Sequence, residues 1–511
     1  FTISTVTLED DAAGTTMKFD ASAFGGAINI NAASDAFDAE LSILGGVSTT
    51  DKVTAIIAAT DNKVALMSGV ETLVLKSTDS DVAASADLTN VTGLVTVDAQ
   101  FVDTTTADQI QVDKLATGVK VKATSTKTAD NLVINLASVS GTTDVLDLEV
   151  ETFTTAGDVL NFDAAGIETL NVKVSSATAG KLDLAGVTAT TGSTVTVNVS
   201  GTGAADISAL SASTNTVVST GTGALTVGAA ARAATAMTIT GGEGGDSIAL
   251  KNASDVLTGG LGTDTLNVSF GAILGGIEVN LGATDQVVSL NGSANAAVQT
   301  GFENVDVSAF TGFGAVVTGS TGANTIVGTA LADQITGGNG ADVITGGAGN
   351  DVIDLAETTS AADVVVYENS AHGSDSVSGF AKASDILRFV DNANLSLVGT
   401  ATLVYAEGTQ AALKAGTATT NTAAGTNVVV ITTVVANNTA AGIQTVIADI
   451  VAGASTDLGD GIIVIAAAAN GDAKVWFDAA AANGDSVELA TLTGVVLADL
   501  ADLASGNFSV V

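Results

Sequence analysis

The chain has 511 residues, too many for one compact core, with 55 acidic against 16 basic residues and a formal charge of −39. That balance argues against nucleic acid as a partner, because no basic patch offsets phosphate repulsion. Cysteine and proline are both absent, which removes disulfides, thiol nucleophiles and cysteine-based zinc sites, and suits a chain built mostly of strands.

The chain is 46% hydrophobic but only 4% aromatic, so its apolar content is small and β-branched and fits thin, stacked β layers. Phe1 is not an initiator and no signal-like segment follows it, so a cut or processed start is expected. Residues 1–231 are rich in Thr, Ser, Ala and Val, with alternating runs such as VTVDAQFV, NLVINLAS and STVTVNVSG. Such runs predict many short strands. The phrases GVETLVL (69–75), GIETLNV (166–172) and GFENVDV (301–307) recur at irregular spacing, as equivalent corners of a solenoid with insertions would.

Strict periodicity appears twice. GGEGGDSIA (241–249), LKNASDVLT (250–258) and GGLGTDTLN (259–267) follow one another in nine-residue phase. GSTGANTIV (319–327), GTALADQIT (328–336), GGNGADVIT (337–345) and GGAGNDVID (346–354) form the second block. A six-residue turn followed by three extended residues makes half a coil, so two units complete one coil. The aliphatic eighth position then points inward, and glycines permit the tight turns. The acids of units two apart stack, giving the pairs Asp246/Asp264, Asn324/Asp342 and Asp333/Asp351.

Each pair, with carbonyls from both turns, is expected to form an all-oxygen cage suited to Ca²⁺, a hard cation. The candidate metal residues are Gly241, Gly242, Gly244 and Asp246, then Gly259, Gly260, Gly262 and Asp264. In the second block they are Asn324, Asp333, Gly337, Gly338, Gly340, Asp342, Gly346, Gly347, Gly349 and Asp351. Asn324 supplies an uncharged ligand, so its cage is expected to bind more weakly. Asp255 has no acidic equivalent one coil away and is left out of the set. From Asn252 to Ala381 there is no Lys or Arg against 14 acids, so this stretch calls for counter-ions from outside the chain.

After residue 363 the texture changes. His372, the single histidine, lacks sequence partners and is expected at the surface. Ile443, Val446, Ile447, Ile450 and Val451 keep helical spacing and predict an amphipathic core helix. Strand-like GIIVIAA, AKVWFDA and SVELATL follow, with Trp476 and Phe477 read as core. Neither HExxH nor GxSxG occurs, and no enzymatic activity is expected. The longest apolar runs, such as IIVIAAAA (462–469), fall far short of the ~20 residues of a membrane span.

These nonapeptides resemble those of RTX proteins, which Gram-negative bacteria secrete through type I systems. HGSDSVSGFAKASDILRF resembles the segment that flanks RTX rolls, and AKVWFDAAAANGDSVELATLTGV…NFSVV resembles their uncleaved C-terminal secretion region. The Thr/Ala/Val-rich body is similar to RTX-type surface-layer proteins. The resemblance implies an all-β, right-handed parallel β-solenoid with calcium-binding β-rolls and a small mixed C-terminal region. Expected segments are 1–231 (strand-rich lattice region), 232–270 (first roll), 271–318 (intervening solenoid), 319–363 (second roll) and 364–511 (capping and secretion). The implied function is a structural subunit of a crystalline layer on the cell surface, folding on external Ca²⁺. Its implied partners are copies of itself, the type I machinery, and lipopolysaccharide or a protein as anchor. An RTX adhesin, or an RTX hydrolase or epimerase with its catalytic domain before Phe1, stands as the alternative.

Overall fold

A computed structural model of the chain describes residues 3–8, 17–32, 41–57, 61–63, 66–77, 83–102, 108–125, 128–139, 141–232, 235–269, 275–390, 405–408, 412–413, 428–433, 435, 438–453, 462–469, 471–478 and 486–511. They form two units, 1–264 and 265–511, and both are nearly all β. Among the described residues no helix is long and apolar enough to cross a membrane.

In the first unit the chain alternates between two parallel walls. One runs from Ile28–Ala32 through Thr72–Ser77, Thr96–Phe101 and Lys120–Ser125 to Val256–Thr258. The other includes Gln109–Leu115, Thr128–Leu136, Val159–Ala165 and, further on, Ser247–Leu250. A short third wall, Met17–Asp20, Leu41–Leu44, Leu66–Ser68 and Val91–Thr92, belongs to the earliest coils.

The register follows from the alternation in sequence. Leu73, Val97 and Val121 pair in line and are fully buried, while Thr72, Thr96 and Lys120 just before them stay partly exposed. Each such aliphatic contributes about 1.5–3 kcal/mol by leaving water, and small β-branched side chains keep the layer thin. Coils pack closely at the turns: a Cβ on Gly45 would collide with the carbonyl of Gly69.

The second unit repeats the design around the second block of nonapeptides. Strands Thr325–Val327 and Val343–Thr345 lie on one wall, Gln334–Thr336 and Val352–Asp354 on the other. Each has three residues, and successive nonapeptides alternate between walls. Two units therefore make one coil, as the spacing predicts. The eighth-position residues Ile248, Leu257, Leu266, Ile326, Ile335, Ile344 and Ile353 are all buried. The first wall continues through Val364–Tyr367 and Ile386–Phe389 to Phe508–Val510.

The second wall continues through Asp375–Ser378 to Ser486–Val496. There it turns antiparallel to Asp472–Asp478 and Ile462–Ala467. Helix Ala440–Gly453 packs Ile443 and Val446 against Val429, Ile431, Val464 and Trp476. Trp476 and Phe477 are both buried, as a core reading requires. The side chains of Ile447, Ile450 and Val451 lie outside the described residues.

The expectation for His372 is overturned: it is 1% exposed. Its ring meets Tyr367 edge-on at 5.3 Å, and Tyr367 in turn stacks on Phe389 at 5.8 Å. The Glu368 N–H donates to His372 Nε2 at 2.9 Å, and burial pushes the imidazole down to about 4. A neutral aromatic ring thus fills this corner, and the charge that would have drawn it to the surface is absent at neutral pH.

Candidate metal centres

The sixth residue of each nonapeptide sits where a turn enters its strand. There the backbone of one coil and the side chain of the next are locked together. Asp246 N–H donates to Asp264 Oδ1 (2.7 Å), Asn324 N–H to Asp342 Oδ1 (2.8 Å) and Asp333 N–H to Asp351 Oδ1 (2.9 Å). The structure brings together all three sequence-predicted pairs. Within each pair, the carboxylate reaches back to the amide of its partner.

Glycines make room for this lock in two ways. Gly260, Gly262, Gly338, Gly340, Gly347 and Gly349 hold φ between 102° and 125°, which other residues rarely adopt. First-position glycines lie under the carboxylate: a Cβ on Gly241, Gly337 or Gly346 would intrude on Asp246, Asp342 or Asp351 respectively. Gly259 presents its carbonyl to Gly241, and Gly242 and Gly244 lie against the backbone of the preceding coil at Gly221 and Gly223.

The second carboxylate oxygen separates the acids into two kinds. Asp246 Oδ2 accepts from Gly242 N–H, and Asp333 Oδ2 from Thr329 N–H, both at 2.6 Å. Asp342 Oδ2 and Asp351 Oδ2 are buried with no hydrogen-bond partner among the described residues. Burial pushes both carboxyls up to about 7, helped by the charge of Asp363 and Glu357 beside Asp342 and of Asp333 beside Asp351. Leaving such an oxygen unpaired is costly, and a cation in contact with it removes the cost.

Every candidate side-chain donor is oxygen, and turn carbonyls approach from the stacked coil, so the set fits Ca²⁺ rather than a softer metal. Among the described residues no three acidic or histidine side chains converge on one point. Backbone carbonyls must therefore complete any cage.

Asp255, left out on spacing, solves the same problem internally. Met237 N–H donates to its Oδ1 (2.8 Å), as at the other corners, and Arg232 Nη2 lies 2.6 Å from the same oxygen with both side chains fully buried. A guanidinium occupies the cationic role there.

Sequence spacing also missed acids beyond the nonapeptides. One row runs Asn324, Asp342, Asp363, Asp385, and the other Asp333, Asp351, Asp375, each linked by the same amide-to-carboxylate bond. The signal was an acid two residues before a buried strand residue: Asp363 before Val365, Asp375 before Val377, Asp385 before Leu387. It was hidden because these coils lengthen from 18 residues to 21, 24 and 22.

No curated protein matches the chain. Residues 238–272 and 318–353 match the family model of the RTX calcium-binding nonapeptide repeat, in four copies. The two phased blocks are therefore calcium-binding repeats of the RTX type.

Proposed function

We propose that the chain is a structural subunit of a calcium-dependent crystalline bacterial surface layer, exported unfolded by a type I system and folded on external Ca²⁺. The observation that carries this reading is the pair of buried carboxylate oxygens on Asp342 and Asp351 that have no partner among the described residues, inside otherwise regular coils. A fold so arranged is incomplete where calcium is scarce and complete outside the cell, where calcium modules bind at about 10⁻⁴–10⁻³ M. In this reading the sites named above hold the ion: Asp246 with Asp264, Asn324 with Asp342, Asp333 with Asp351, each with carbonyls of its turn glycines.

The charge of −39 supports a second role for divalent ions. Acidic neighbours in a lattice repel, and at physiological salt screening acts only beyond about 8 Å, so bridging cations belong at lateral contacts too. Repeated coils with little aromatic content suit a scaffold, and no catalytic constellation was found in the sequence, so the role proposed is non-enzymatic.

Electron microscopy of the purified chain tests the proposal. Millimolar Ca²⁺ should give ordered two-dimensional sheets, and chelator with matched monovalent salt should give none. Dispersed monomers at millimolar Ca²⁺ would overturn the lattice reading, while leaving the calcium-binding repeats in place.

A further inference from the structure

Past the last nonapeptide the acidic rows continue, and one corner stands apart. Asp351 N–H donates to Asp375 Oδ1 at 3.0 Å, the same lock used inside the repeats. Around it, beside Tyr367 and His372, two buried carboxylate oxygens have no hydrogen-bond partner among the described residues: Asp351 Oδ2 and Asp375 Oδ2. Their residues are at most 2% exposed. Tyr367 and His372 are in ring contact, and the Tyr367 hydroxyl lies against the Asp375 carboxyl. Buried polar groups are ordinarily paired, so two unpaired carboxylate oxygens at one corner need an explanation.

We infer that a further divalent cation, calcium by its all-oxygen chemistry, is held between Asp351 and Asp375. Asp375 lies outside the residues that match the repeat family. The ion would meet the two carboxylate oxygens at once, and the Tyr367 hydroxyl would close the pocket from the apolar side. Further ligands come from the turns: Gly373, at φ +91°, packs so closely on Gly349 that a Cβ would collide with the Gly349 carbonyl. That is the same close stacking of turns seen within the nonapeptides. The coil is longer here, 24 residues from Asp351 to Asp375, and the extra length carries His372, which seals the corner from water.

The inference rests on the calcium reading of the repeats, and the experiment separates the two. Tb³⁺ replaces Ca²⁺ at oxygen sites and emits when an adjacent tyrosine is excited; the chain has two tyrosines and one tryptophan. The full chain should show tyrosine-sensitised Tb³⁺ emission that Ca²⁺ displaces. Y367F should lose most of that emission while binding as many calcium ions as the parent in equilibrium dialysis. D375N should lose the emission and one bound ion, whereas D342N should lose an ion from the repeats and keep the emission. Should D375N fail to fold, Y367F still decides, because it removes only a hydroxyl. Undiminished emission in Y367F, or full calcium stoichiometry in folded D375N, overturns the inference and leaves the repeats untouched. A parent chain that binds no calcium overturns both.

Discussion

Corner acids act alike in the early coils of the first unit and in the second block, and then differ. In both, an acid before a strand accepts an amide from the preceding coil: Ile28 to Asp51, Asp108 to Asp130 and Asp144 to Glu168 in the first, Asn324 to Asp342 and Asp333 to Asp351 in the second. At Asp51, Asp130 and Glu168 in the first unit the remaining oxygens find protein donors. Gly46 N–H serves Asp51 Oδ2 at 2.8 Å, Ser125 Oγ serves Asp130 Oδ2 at 2.9 Å, and Thr190 serves Glu168.

The titration of the acids records the difference. The Thr190 hydroxyl and nearby amides hold Glu168 below the usual range. Burial pushes Asp158 up, but bonds from Thr155 and Thr154 outweigh it and leave the carboxyl lowered. In the second unit burial prevails: Asp342 and Asp351 rise to about 7, Asp363 to about 6 and Asp375 to about 8. One corner design thus closes on protein donors at Asp51, Asp130 and Glu168, and leaves one carboxylate oxygen without a partner among the described residues at Asp342 and Asp351.

The largest expected effect breaks that comparison directly. In chelator, residues 319–390 should exchange amide hydrogens rapidly, and millimolar Ca²⁺ should restore protection, while 108–219 changes little. At ligand tenfold above Kd each site adds about 1.4 kcal/mol to the folded state, so several sites together amount to much of an ordinary domain's stability. Equal protection of 319–390 with and without Ca²⁺ would erase the contrast.

Arg232→Gln comes next. It strips the buried partner from Asp255, a loss of about 3–5 kcal/mol, and denaturant unfolding should show it at any calcium level. A loss confined to chelator would mean that calcium shares the Asp255 corner with Arg232.

Gly347→Ala and Gly141→Ala form a matched pair, since both glycines sit at φ 102°. Backbone strain of about 1–3 kcal/mol is common to both, but only at Gly347 would the Cβ strike a stacked carbonyl, that of Thr329. Calorimetry should rank Gly347→Ala as the more damaging, and equal losses would show that turn stacking contributes little.

The smallest effect is on pH and carries opposite signs at the corner acids of the two regions. Asp342, Asp351 and Asp375 have raised folded pKa values, so without calcium they bind more protons folded than unfolded. Their contribution is full below about pH 4 and declines as pH rises through about 7 to 8. Glu168 and Asp158 are lowered, so their contribution is full above the ordinary carboxylate pKa and falls as pH drops. Exchange measured in chelator at pH 5 and pH 8 should therefore protect 319–390 more at the lower value. With saturating Ca²⁺ the preference should disappear, because the ion holds the carboxylates ionised.

The repeat coils were legible because nine-residue phase fixes both the turn and the buried eighth residue; Ile326 through Ile353 sit where the pattern put them. Pairing at 18 residues was equally readable, since stacking distance equals coil length there. Legibility ended where coils changed length. Asp363, Asp375 and Asp385 carry the same local phrase, but no fixed interval announces them. His372 was misread because its partners are an aromatic ring and the Glu368 amide, neither of which a charge-based search detects. Arg232 was invisible for a related reason: 23 residues separate it from Asp255, and nothing local ties the two.

The corner bonds join each coil only to its immediate neighbour, and that connectivity gives each solenoid unit a grain. A pull along the stacking direction loads the joints in series, so every joint bears the whole force and the first to yield sets the strength. A pull along the strands loads the hydrogen bonds of a ladder side by side, in shear, and divides the force among them. Each unit is then tough along its strands and peelable along its stack. The joints at Asp342–Asp363 and Asp351–Asp375, whose carboxylates have one oxygen without a hydrogen-bond partner among the described residues, are where the surrounding calcium concentration would set the tensile limit of the material.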